Sequence, residues 1–138
     1  MPAPPRPLTP IAKLDQAQAA ARRLRADWLL ALETGVLGID ELLATAGADA
    51  RSPLRRIRIF QLLASLPRTT RGRARDDLAA FRRIAGVPRA MPDKELTVGW
   101  LVDGRSHPRR VTALVDALYA SDRRPPSDRF PWSPVDNS

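Results

Sequence analysis

Residues 53–85 read PLRRIRIFQLLASLPRTTRGRARDDLAAFRRIA, and their spacing decides the fold class. In the first half Leu54, Ile57, Phe60, Leu63 and Leu66 step by three, with Ile59 and Leu62 widening the apolar face, which predicts a core helix over 53–66. The turn Pro67-Arg68-Thr69-Thr70 follows. A second helix is predicted over 71–85, where Ala74, Leu78, Phe81 and Ala85 fall on one side and Arg71, Arg75 and Arg82 on another. Neither half alternates with the period of two that a strand requires.

Proline and glycine punctuate the rest of the chain as helix starts and stops do. Thr9-Pro10, Ser52-Pro53 and His107-Pro108 stand at starts, and Gly35, Gly47, Gly86 and Gly104 stand just past predicted ends. A long helix over 10–34 carries Ile11, Leu14, Ala17, Ala21, Leu24, Trp28 and Leu32 as one stripe. A short helix is expected over 39–46, and a final one over 108–119, where Val111, Leu114, Val115 and Leu118 share a face. Residues 87–107 are broken by Pro88, Pro92 and Gly99, although Asp93 could cap a short helix containing Leu96, Trp100 and Leu101. The expected architecture is all-α: a long N-terminal helix leading into a compact helical domain over 10–120. The proline-rich ends 1–9 and 121–138 are expected to be disordered.

Composition narrows the chemistry. The chain of 138 residues has no cysteine and one histidine, so a thiol, disulfide or histidine-built metal site is not expected, and no cofactor is implied. His107, just before Pro108, reads as a cap or surface residue. Asp76 and Asp77 suit the positive end of a helix dipole better than a catalytic pair. Without a nucleotide loop or a recognisable nucleophile motif, a non-enzymatic role is expected. No apolar run has the length of a membrane span or a secretory signal, which suggests a cytoplasmic protein.

The charge points to a polyanion: 23 Lys and Arg face 15 Asp and Glu, for a net charge of +8. A GC-rich coding bias can raise the arginine count but does not explain the imbalance of sign. The arginines cluster as Arg22, Arg23 and Arg25; as Arg55, Arg56 and Arg58; around residues 68–75; and as Arg105, Arg109 and Arg110. The segment RTTRGRAR combines Arg68, Arg71, Arg73 and Arg75 with the Thr70 hydroxyl, Gly72 and a helix N-terminus whose free N–H groups favour an anion. That is a phosphate-binding combination; the competing reading is a solvated face with pairs such as Arg73 and Asp77. For Arg55, Arg56 and Arg58, which share a segment with core residues, the two readings stand level. Arg105, Arg109 and Arg110 open the last helix and could meet the same backbone from a second side.

In order and spacing, Ala21 to Ala26, Leu42 to Ala46, Leu62 to Pro67, Arg71 to Ala74 and Ile84-Ala85 resemble the actinobacterial integration host factor family, over roughly residues 17–120. The resemblance implies a long helix followed by a helix-two-turns-helix domain, related to that of a ribosomal small-subunit protein. It also implies nucleoid-associated binding of double-stranded DNA through phosphates, with little sequence preference. Arg71 and Arg73, with Arg22 and Arg23, stand at the family's basic positions. Two departures stand out: Thr70 replaces the family's turn glycine, and residues 86–107 replace its arginine-rich segment. Structured RNA is the alternative polymer. A protein partner docking on Trp100 or on the Phe130 to Trp132 segment is the alternative of another class.

Overall fold

The computed structural model describes residues 9–104 and 107–120, and the expectations for 1–8, Arg105 and 121–138 lie outside them. Six α-helices follow one another: α1 (Pro10–Glu33), α2 (Ile39–Ala48), α3 (Ile59–Ala64), α4 (Arg71–Ala85), α5 (Val98–Leu101) and α6 (His107–Ala120). Two 3-10 turns, Pro53–Arg56 and Asp93–Glu95, precede α3 and α5. Among the described residues no strand forms, so the chain is all-α, and no helix is long and apolar enough to cross a membrane.

The helix starts follow the proline rule. Thr9 caps α1 by accepting the Ala12 N–H, with Pro10 in the first turn, and Ser52 caps the turn at Pro53 by accepting from Leu54. The expected stripe of α1 packs only at its far end. Leu32 is the one fully buried residue, Trp28 and Leu29 lean on the core, and Ile11 and Leu14 are 74 and 58% exposed.

Residues 53–66 do not form the single helix that their spacing predicts. The backbone turns extended at Ile57 and Arg58, and Arg58 forms an isolated antiparallel bridge with Thr97. The Ile59 N–H donates to the Leu96 carbonyl and the Val98 N–H to the Ile57 carbonyl, both at 2.8 Å. Exchanging 57 with 96 and 59 with 98 turns one bond into the other, so the two segments are related by a local twofold. Each has the form proline, 3-10 turn, buried Ile57 or Leu96, bridge residue, then a short helix burying Ile59 and Leu62 or Val98 and Leu101. The stretch least readable in sequence thus repeats the design of residues 53–64. Thr97, not Asp93, caps its helix, by accepting the Trp100 N–H.

Tight approach at this junction explains Gly99. A Cβ there would stand 3.1 Å from both the Cβ and the carbonyl oxygen of Arg55. Gly99→Ala is expected to destabilise the fold by about 1–2 kcal/mol, because overpacking outweighs the gain in helix propensity; denaturant unfolding of the variant measures this.

Gly47 does not terminate α2, as its spacing suggested; the helix runs on to Ala48. The Arg55 guanidinium closes the end instead, with Nε donating to the Ala46 and Asp49 carbonyls at 2.8 and 3.0 Å and Nη2 to that of Gly47 at 3.4 Å. A cation on the free carbonyls of a helix C-terminus satisfies both their hydrogen bonding and the dipole.

The helices α4 and α6 form the most extensive pairing. Ile84 and Ala85 at the end of α4 line a cavity together with Arg109 and Arg110 at the start of α6, so the two helices run antiparallel. Ala74, Leu78 and Phe81 from α4 and Ala113, Leu114 and Ala117 from α6 are buried in the core.

Candidate nucleic-acid interface

The segment 67–75 folds as an exposed turn entering α4. Thr70 has extended backbone and caps the helix: its hydroxyl accepts the Arg73 N–H at 3.1 Å and its carbonyl accepts from Ala74 at 3.0 Å. Those bonds use two N–H groups of the first turn and leave those of Arg71 and Gly72 outside the ladder, where an anion can receive them. Gly72 is exposed, and a Cβ added there would meet nothing within 4 Å. Its missing side chain therefore serves no packing need of the domain, while glycine in a helix is unfavourable by about 0.5–1 kcal/mol. It does keep the backbone open to close approach.

The turn's left-handed residue is Arg68, at φ 60°, the one non-glycine with positive φ among the described residues. A side chain in that conformation costs about 1–2 kcal/mol, and Arg68 is exposed, so no burial compensates. Arg68→Gly is expected to raise stability by about 0.5–1 kcal/mol while weakening polyanion binding; opposite shifts in unfolding midpoint and Kd are the check.

Around α4 the arginines divide by face. Arg71 and Arg75 are exposed and line a groove of about 490 Å³ with Arg58, Phe60, Leu78, Ala79, Arg82 and Asp93. Among the described residues no carboxylate lies within ion-pair distance of Arg58, Arg71 or Arg75. Arg82 is committed elsewhere: it pairs with Asp93 at 2.9 Å and donates to the Pro88 and Met91 carbonyls, closing the loop after α4. Arg73, roughly opposite Arg71 around the helix, is half-buried and has partners inside the protein.

The remaining clusters separate in the same way. Arg22 and Arg23 are exposed on α1 and Arg25 is half-buried. Of the 55–58 group, Arg55 closes α2, Arg56 is exposed and Arg58 joins the groove. Arg109 is exposed at the start of α6, but Arg110 lies 3.9 Å over the Trp100 ring and donates to the Trp100 carbonyl. Trp100 is further held by the edge-on ring of Phe81, with centroids 6.0 Å apart and planes at 86°. The indole is thus half-buried and packed by two residues of its own domain. The expected docking segment Phe130 to Trp132 lies outside the described residues.

Because α4 and α6 are antiparallel, the starts of these helices do not converge. With 15 residues in α4 and a rise of 1.5 Å per residue, Arg109 stands on the order of 20 Å from Arg71. The groove was not foreseen from sequence, since Phe60 read as core and Arg58 only as one of an ambiguous trio. The signal available was the helix spacing of Arg71, Arg75 and Arg82. Among the described residues no group of three His, Asp or Glu side chains could hold a metal ion. Comparison with known protein families, curated proteins and solved structures finds no match to this chain.

Proposed function

We propose that this protein binds double-stranded DNA through its phosphates, without catalysis and with little sequence preference, as a nucleoid-associated protein of the integration host factor type. The observation that carries the reading is the convergence of Arg58, Arg71 and Arg75 on one groove beside an open helix N-terminus. Guanidiniums that make no ion pair among the described residues, next to outward N–H groups, form an anion site with planar, bidentate donors. Arg68, Thr70 and Gly72 extend that site along the turn. Arg109 and the α1 pair Arg22 and Arg23 offer separate basic surfaces, which suits a protein that bends or bridges its polymer.

Neutralising about six phosphates gives a log–log salt slope near −5. Fluorescence anisotropy of a labelled duplex of about 25 base pairs, titrated at several salt concentrations with unlabelled structured RNA as competitor, measures it. A steep slope and poor competition by RNA are expected. A shallow slope contradicts phosphate binding, and strong competition moves the assignment to RNA.

A further inference from the structure

The groove has a feature that phosphate binding alone does not use. Besides the guanidiniums, its lining includes the apolar side chains of Phe60, Leu78 and Ala79. The neighbours of Phe60 on α3, Ile59, Leu62 and Leu63, are fully buried, but Phe60 is only half-buried and borders the groove. A duplex backbone is a charged ridge that needs surface cations and gains nothing from an aromatic ring. A flat π-system set among arginines is instead suited to a nucleobase, which stacks on the ring while its flanking phosphates meet the cations. At about 490 Å³ the groove lies within the range of about 300–1,000 Å³ typical of small-ligand sites. Asp93 also lines the groove, where its ion pair with Arg82 offsets its charge.

We propose that this groove accepts an unpaired nucleotide of a DNA strand, its base stacked on Phe60 and its phosphates on Arg58, Arg71 and Arg75. The inference rests on the DNA-binding reading above and adds to it a preference for DNA whose stack is already interrupted. Taking up a base that is already unpaired requires little unstacking, whereas a paired base must first be extruded.

The experiment compares two labelled duplexes, identical except for one unpaired adenine at the centre of the second, in anisotropy titrations with the full chain. A base stacked on an aromatic side chain improves affinity on the order of 5- to 150-fold, so wild type is expected to favour the bulged duplex by at least the lower figure. Phe60→Leu keeps an apolar side chain without a π-face; it is expected to bring the ratio of the two affinities to about one. Phe60→Tyr is expected to retain the preference, which separates stacking from a packing role. Equal wild-type affinity for both duplexes overturns the nucleotide site and leaves phosphate binding standing, whereas no binding to either overturns both. Displacement of the bulged duplex by deoxyadenosine monophosphate at equal concentration overturns the assignment to a strand.

Discussion

Replacing Arg71 and Arg75 together by glutamine is expected to weaken duplex binding about 30-fold or more at near-physiological salt, with thermal unfolding shifted by less than about 0.5 kcal/mol. The asymmetry follows from where the side chains stand. Both are exposed on α4, and among the described residues neither has a carboxylate within ion-pair distance, so the fold does not depend on their charge. A guanidinium on a phosphate, by contrast, makes a charge-assisted contact of roughly 1.5–3 kcal/mol, part of which survives as affinity at an exposed site. Removal of Arg82 would give a mixed result, because that residue also holds Asp93 and the loop carbonyls. Anisotropy together with a melting curve on the same preparation distinguishes loss of affinity from loss of fold.

The largest effect on stability is expected from Phe81→Ala. Phe81 of α4 is fully buried, with its ring edge-on to Trp100 of α5. Truncating such a ring removes transfer energy and leaves a cavity, at about 3–5 kcal/mol. Loss of the Phe81 edge also frees the Trp100 and Arg110 stack, so the α5 to α6 junction is expected to loosen with it. The unfolding midpoint should fall on the order of 15 °C, measured by calorimetry or by ellipticity. A fall of only a few degrees would mean that the two halves of the domain pack independently.

How far the sequence reaches is clear from particular elements. The helix over 71–85 was legible to the residue because its apolar positions recur with a strict helical period and Thr70 and Gly86 mark its ends. The starts at Pro10 and Pro53 were legible because a proline after a capping hydroxyl has few other uses. The break at Ile57 and Arg58 was not, since a step of three suits an α-helix and a 3-10 turn alike, and what forces the break is the pairing with residues 96–98, far along the chain. The end of α2 was misplaced for a related reason: a distant Arg55 does what a local glycine was expected to do.

The same locality limits the reading of the site. The combination of arginines, Thr70, Gly72 and a helix start in residues 68–75 lies in one continuous segment and could be read directly. Which arginines remain available could not, because Arg55, Arg82 and Arg110 are each engaged by groups remote in sequence: the α2 carbonyls, Asp93 and Trp100. The groove is likewise a product of α3 packing against α4, which brings Phe60 and Arg58 beside Arg71 and Arg75.

The central claim, that Arg71 and Arg75 contact phosphates, is tested most directly by measuring the salt dependence of duplex binding for wild type and for Arg71→Gln/Arg75→Gln side by side. Each lost phosphate contact lowers the magnitude of the log–log slope by about 0.9, so the variant is expected to be shallower by about 2. Parallel lines for the two proteins, whatever their affinities, would contradict the claim and place the phosphate contacts on another of the basic surfaces.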